Sequence, residues 1–189
     1  KTAVGLSTDN CVDIYAQDVG LLAIAGRGGL EGFNLLVGGG LGMTHNKGDT
    51  TARLAQPLGF VPLEHGVEAV RIVAAIFRDH GNRSDRRHAR LKYLLAEWGI
   101  HRFREEFQRR ASFTLTPAVE LPPLPFRDHL GRHRQPDGRW FYGVFVQSGR
   151  IVDTEGHALK TALHEIVERL SPGVRRFGEE TVDEIDVAA

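Results

Sequence analysis

The stretch "CVDIYAQDVGLLAIAGRGGLEGFNLLVGGG", from Cys11 to Gly40, decides the fold class. It holds two apolar runs, Leu21 to Ala25 and Phe33 to Val37, separated by the glycine-rich "GRGGLEG". Short apolar runs bounded by glycine read as two strands joined by a turn. The second run ends in three consecutive glycines, Gly38 to Gly40, followed by "LGMTHNK". Glycines at a strand end let another backbone or a flat ligand approach closely and leave N–H donors exposed, and a bulge with a tight turn would use them equally well.

Past Pro62 the periodicity changes. Val67, Val70, Val73, Ala74 and Phe77 fall at helical spacing, and "DHGN" supplies a stop. "SDRRHARLKYLLAEWG" predicts a second helix with Ser84 as N-cap, Leu91, Leu94, Leu95 and Trp98 as its buried stripe, and Gly99 as its end. A shorter helix around Phe103 and Phe107 follows. "ELPPLPF" cannot continue a helix or a central strand and is expected to be a linker and domain boundary. Beyond it, "RWFYGVFVQSGRIVD" reads as a hairpin turning at "QSGR", and "HALKTALHEIVERLSPG" as a helix. The switch from strand-like to helical patterning gives an α+β fold, a mixed sheet with helices packed on one face.

Composition narrows the function classes. With 189 residues, 41% of them hydrophobic and 25% charged, the chain can bury a substantial core and lacks the bias of disorder. No apolar run approaches the roughly 18 residues of a membrane span, and the start has no signal-peptide pattern, so a cytoplasmic location is expected, with neither membrane nor nucleic acid as partner. The first residue is Lys rather than Met, which suggests part of a longer polypeptide. The single cysteine, Cys11, excludes an internal disulfide and a cysteine-rich metal site, and it reads as a small apolar residue. The formal net charge is zero, yet 11 of the 24 Lys and Arg residues lie between Arg71 and Arg110, while "FGEETVDEIDVAA" at the end carries only acids. That end reads as a solvated tail.

The basic middle holds the clearest candidates for chemistry. Arg83, Arg87 and Arg90 stand at i, i+4 and i+7, so the predicted helix presents Arg87 and Arg90 on one face with Arg83 just before it. Such a face suits several carboxylates at once, although basic helix faces are often simply solvated. The nine histidines form no HExxH, and Asp9, Asp13, Asp18 and Cys11 match no calcium or zinc spacing, so no metal site is expected from this chain. "GGGLG" lacks the GxGxxG context of a dinucleotide loop, and there is no Walker motif.

Taken together, "GFNLLVGGGLGMTHNKGDTTARLAQPLGFVPLEH", "FRDHGNRSDRRHARLKYLL" and "DGRWFYGVFVQSGRIVD" with "LKTALHEI" resemble the siroheme-dependent sulfite and nitrite reductases, and within that family the sulfite-reducing hemoproteins. The resemblance covers roughly residues 1 to 170 and fails from about Ser171. It implies a siroheme-binding reductase domain over residues 1–120, the start of a second ferredoxin-like repeat over 121–170, and a divergent acidic tail over 171–189. It further implies a six-electron reduction of sulfite to sulfide, or of nitrite to ammonia, on siroheme coupled to a 4Fe-4S cluster, with ferredoxin or a flavoprotein reductase as electron donor. "DHLGRHRQPDGRWFYGVFV" leans toward sulfite and ferredoxin.

By the same resemblance Arg90, and less directly Arg83, match positions that hold siroheme carboxylates, with Asn46 and Lys47 of "THNK" at the polar rim. Lys1 matches the second lysine of an Arg-Lys-Phe-Lys substrate motif, where an ammonium stabilises the anion and supplies protons. The cluster cysteines are expected downstream of this chain, which alone is then incomplete as a catalyst. The competing expectation is a non-catalytic tetrapyrrole- or anion-binding module.

Overall fold

Strands β1 (Thr2–Leu6), β2 (Val19–Gly26), β3 (Gly29–Val37) and β4 (Gln56–Pro62) form one sheet in the order β1-β2-β3-β4. The two apolar runs are its centre: β2 and β3 pair antiparallel, with Val19 opposite Val37 and Gly26 opposite Gly29, so Arg27 and Gly28 alone make the turn. β4 adds antiparallel to β3, whereas β1 lies parallel to β2, which makes the sheet mixed. The computed structural model describes residues 1–46 and 48–170. Lys47 and the expected acidic tail, 171–189, lie outside the described residues.

Alternation along the strands assigns the faces. Val19 and Leu21 of β2, Leu35 and Val37 of β3, and Leu58 and Val61 of β4 point to one face, where they are buried with residues of α1 (Gly66–His80) and α2 (Leu91–Arg110). A register irregularity between Leu35 and Leu36 of β3 leaves Leu58 without an opposite partner, which lets two β4 residues three apart share that face. Each helix presents one apolar stripe, Ala69, Ile72, Val73 and Ile76 from α1 and Leu91, Leu94, Leu95, Phe103 and Phe107 from α2. Ile14, Leu22, Leu36 and Ala55 form a smaller cluster on the other face.

The structure corrects four sequence expectations. The second helix begins at Leu91 rather than after Ser84. Asn82 Oδ1 accepts the N–H groups of Ser84 and Asp85, and Asp85 in turn accepts the N–H of Arg87 to start a single 3-10 turn, Arg86–His88. These local side-chain bonds compete with the helix and win. The helix then continues past Gly99 to Arg110, absorbing the expected separate helix across a break where Gly99 has φ 73° and ψ 163°.

"ELPPLPF" is not a free linker. Leu121 and Leu124 pack on the cluster beneath the sheet, and Asn10 N–H donates to Pro125 O at 2.7 Å. The chain divides just after it, into a unit over Lys1–Arg127 and a second unit from Asp128 onward. In the second unit, β6 (Trp140–Gly143) pairs not across "QSGR" but back to β5 (Gly131–Arg134). The turn "QPDGR" decides this, because Gly138 takes φ 89° and its N–H reaches Gln135 O, while Gln135 N–H reaches Arg139 O. β7 (Asp153–Thr154) and β8 (His157–Ala158) form a minimal hairpin before α3 (Leu159–Leu170).

Candidate anion-binding site at the sheet end

The three glycines that close β3 answer three separate steric demands. Gly38 has φ 81°, and a Cβ there would lie 2.9 Å from Leu95. A Cβ on Gly39 would stand 2.3 Å from Tyr15 O and 2.5 Å from Gln17 O, a clash with backbone. On Gly40 it would meet the Arg90 guanidinium at 2.7 Å. The bare strand end is thus a place where the 15–18 segment and Arg90 press directly against the chain.

Arg90 is the centre of the cluster. Lying in extended backbone just before α2, it donates from Nε to Asp18 Oδ1 at 3.1 Å and from Nη2 to Asp18 Oδ2 at 2.8 Å and Gly39 O at 3.3 Å. This spends three of the five guanidinium donors and leaves the two on Nη1 without a hydrogen bond among the described residues. Burial acts to raise the Asp18 carboxyl, but hydrogen bonding, from Arg90 first, outweighs it and holds the group below the usual carboxylate range. Lys1 sits at the same place, its nitrogen 3.0 Å from Asp18 Oδ2 and its carbonyl accepting from Val19 N–H, with an exposed side chain.

Loop 41–54 covers this end and is tied at several points. Gly40 and Arg53 exchange both main-chain hydrogen bonds, at 2.8 and 3.0 Å. Arg53 Nη2 donates to Gln56 Oε1, while its buried Nε has no partner among the described residues. Lys92, only 2% exposed, donates from Nζ to Gly40 O, Gly42 O and Thr51 O at 3.2, 2.7 and 2.6 Å. The tip is clamped to the 82–90 segment. His88 Nδ1 lies 2.6 Å from Asp85 Oδ2 and Nε2 lies 2.9 Å from Asp49 O, and Arg87 Nη1 lies 3.1 Å from Asp49 Oδ2. Both His88 partners are acceptors, so they favour the protonated ring with an N–H on each nitrogen. The hydrogen bond to Asp49, then that to Asp85, raises its pKa.

Of the residues expected at a site, Arg90 and the main chain of Lys1 meet at Asp18, while the Lys1 side chain is exposed. Arg87 does not join them on a helix face, because it lies in the single 3-10 turn and Arg90 in extended backbone, and its charge is spent on Asp49 and Asp85. Arg83 packs back on α1, with its guanidinium 5.8 Å from the Phe77 ring centre and a 3.5 Å hydrogen bond to Arg78 O. Asn46 is exposed in loop 41–54 with φ 56°, among Met43, Thr44, His45, Gly48 and Thr50 around a shallow depression. Cys11 is exposed, not packed as an apolar residue. Desolvation and then the Asp9 carboxylate push its thiol up, which disfavours the thiolate that binds metals.

The sequence reading missed Asp18 as a partner, Arg53, and above all Lys92. Its signal is a lysine set between Leu91 and Leu94 at the edge of an apolar stripe.

Comparison with known proteins shows the family to which this chain belongs. The family profile "Nitrite and sulphite reductase 4Fe-4S domain" matches residues 1–115, the span that builds the sheet, both packed helices and the site. The chain belongs to the nitrite and sulphite reductase family. It is 51% identical over 170 residues to the ferredoxin sulfite reductase of Synechococcus elongatus, an alignment covering 89% of this chain and 27% of that protein. It is 40% identical over 169 residues to the NADPH sulfite reductase hemoprotein beta-component of Chromohalobacter salexigens, covering 89% and 29%. The NirA protein of Mycobacterium tuberculosis superposes with a TM-score of 0.59 at 32% identity, covering 69% of this chain and 23% of that one. The chain therefore spans less than a third of the length of these relatives.

Membership in this reductase family implies siroheme and a 4Fe-4S cluster as cofactors. The residues present fit the first and not the second. Unspent donors on Arg90 and the orphaned Arg53 Nε suit the carboxylate rim of siroheme. A 4Fe-4S cluster needs four thiolates, and the sequence holds one cysteine. Among the described residues no helix is long and apolar enough to cross a membrane.

Proposed function

We propose that this chain is the siroheme-facing central segment of a sulfite reductase that carries out the six-electron reduction of sulfite to sulfide, with cluster ligands supplied from outside this sequence. The observation that carries the reading is the Arg90 guanidinium held by Asp18 against the strand end Gly38–Gly40 with its Nη1 donors unspent, in a chain 51% identical to a ferredoxin sulfite reductase. When bound, siroheme supplies an iron at which electrons reach the substrate anion. The protein's own contribution is charge placement and protons. Arg90 is proposed to offer its Nη1 donors to a siroheme carboxylate, with Asp18 fixing the plane of the guanidinium. Asn46 is proposed at the polar rim and Arg83 as an outer contact.

Lys1 is the proposed catalytic residue. Its main chain lies against Asp18, the partner of Arg90, and its exposed side chain carries an ammonium that can stabilise an oxyanion and give a proton to a departing oxygen. Ferredoxin is the proposed donor, supported by the higher identity to the ferredoxin enzyme than to the NADPH hemoprotein.

The test is the complete polypeptide produced with siroheme supply, followed by its visible absorption and its turnover of sulfite and nitrite with a low-potential donor. Siroheme absorption with sulfide release and a larger kcat/KM for sulfite supports the proposal. Preference for nitrite would transfer the activity to the other branch named in the family description, and siroheme-free protein would leave an anion-binding module.

A further inference from the structure

Lys92 is a buried cation whose Nζ is surrounded by three carbonyl oxygens and, among the described residues, has no carboxylate partner. Three acceptors fill its three donors, so hydrogen bonding is complete, but the charge is not neutralised. Glu106, the other buried acidic or basic side chain among the described residues, differs in this respect because Arg109 and Arg110 pair with it.

The carbonyls have a geometric consequence. A peptide unit is planar and trans, so its C=O and the following N–H point in opposite directions. With Gly42 O, and Gly40 O which also accepts the Arg53 N–H, facing Nζ, the N–H groups of Leu41 and Met43 are turned away from it. Neither N–H makes a hydrogen bond among the described residues, and both residues are exposed, at 54% and 65%. Thr44 N–H, by contrast, is taken by Thr50 Oγ1 at 2.8 Å. A loop with unspent N–H donors on its outer side and an unneutralised cation on its inner side is built to receive an anion.

We propose that Lys92 is a positioning residue that turns the 40–43 backbone outward, making the Leu41 and Met43 N–H groups a binding site for a carboxylate of the siroheme rim. The inference rests on the siroheme reading above. Lys92 never touches the ligand. It holds the peptide dipoles in the orientation that binds the ligand and supplies the charge behind them. The site lies next to Arg90, whose guanidinium abuts Gly40, so one carboxylate-rich edge can engage both.

The test is amide hydrogen exchange at single-residue resolution on the complete polypeptide, compared with and without siroheme, with siroheme content read from visible absorption. Slowing of exchange at Leu41 and Met43 by at least about tenfold on loading is the expected result, since an unpartnered amide becomes bonded. The Lys92→Met variant, of similar volume without the charge, should lose that slowing and bind siroheme at least about tenfold more weakly. Siroheme present by absorption with unchanged exchange at both amides would overturn this inference and leave the functional reading standing. Equal slowing by sulfite alone in the siroheme-free protein would overturn the carboxylate assignment in favour of the substrate anion. Failure to take up any siroheme would bring down the functional reading and this inference together. The wild-type comparison needs no variant, so the test holds even where Lys92→Met does not fold.

Discussion

Arg90 has two tasks at one position, and they separate experimentally. Its bond to Asp18, whose side chain is 14% exposed, is structural, and Arg90→Ala would leave that carboxylate without its main partner. A lost hydrogen bond to a charged group costs about 1.5–3 kcal/mol, so urea unfolding of Arg90→Ala should shift by that amount. The Arg90→Ala, Asp18→Asn pair should recover most of the stability but none of the siroheme affinity. Full affinity in the pair would reject the proposed contact. Asp18 has a depressed pKa in the folded state, so its contribution is present above the ordinary carboxylate value and is lost as pH falls through the lower folded value.

His88 works in the opposite sense. Its folded pKa is raised above 6.5, so the stabilisation it gives is complete below about 6.5 and fades as pH rises through the higher folded value. Amide exchange in residues 49–51 should therefore accelerate with rising pH beyond the intrinsic base catalysis of exchange. A His88 ring titration at or below 6.5 would contradict the clamp. Lys1→Met should leave siroheme content unchanged and lower sulfite turnover about 10²- to 10⁴-fold. Wild-type turnover would remove Lys1 from the site.

At the level of elements, α1 and α2 are joined at their ends by charge as well as by their apolar stripes. Asp79 of α1 accepts from Arg78 at 2.7 Å and from Arg110 of α2 at 2.7 Å, and these bonds, Arg78 first, lower its pKa to about 2. A depressed carboxylate contributes above its unfolded value of 3.8 and loses that contribution as pH falls toward about 2, so Asp79→Asn should flatten the acid limb of the thermal stability profile in that window. An unchanged acid limb would mean the clamp is too solvent-screened to matter. The break in α2 is a backbone matter. Gly99 occupies a region nearly closed to other residues, with no atom close to where a Cβ would sit, so Gly99→Ala should cost about 1–3 kcal/mol through strain alone. No loss in chemical denaturation would show that the helix can run straight through.

At the scale of the molecule, both apolar clusters draw all their residues from the first 127 positions, from Val12 to Leu124. A polypeptide of residues 1–127 should therefore unfold in one cooperative transition followed by circular dichroism, whereas a broad, non-cooperative melt would mean that its core depends on chain beyond it. The same unit holds every charged group of the proposed site.

What the sequence by itself determined was carried by periodic pattern and by local stereochemistry. The pairing of β2 with β3 followed from two apolar runs flanking glycines, and α1 and the Leu91–Trp98 stripe followed from 3.6-residue spacing, because burial on one face writes itself into residue order. What only the tertiary structure decided was where polar side chains find partners. Ser84 lost its cap role because Asn82 and Asp85 offered nearer bonds, Arg87 and Arg90 parted because no helix joined them, and Leu121 and Leu124 became core because the sheet left a second face open. Lys92 was invisible for the same reason. Its partners at Gly40, Gly42 and Thr51 are backbone carbonyls 41 to 52 residues away, and a carbonyl is present at every position of every sequence. Only folding selects which three of them meet a buried ammonium, and so which N–H groups face outward.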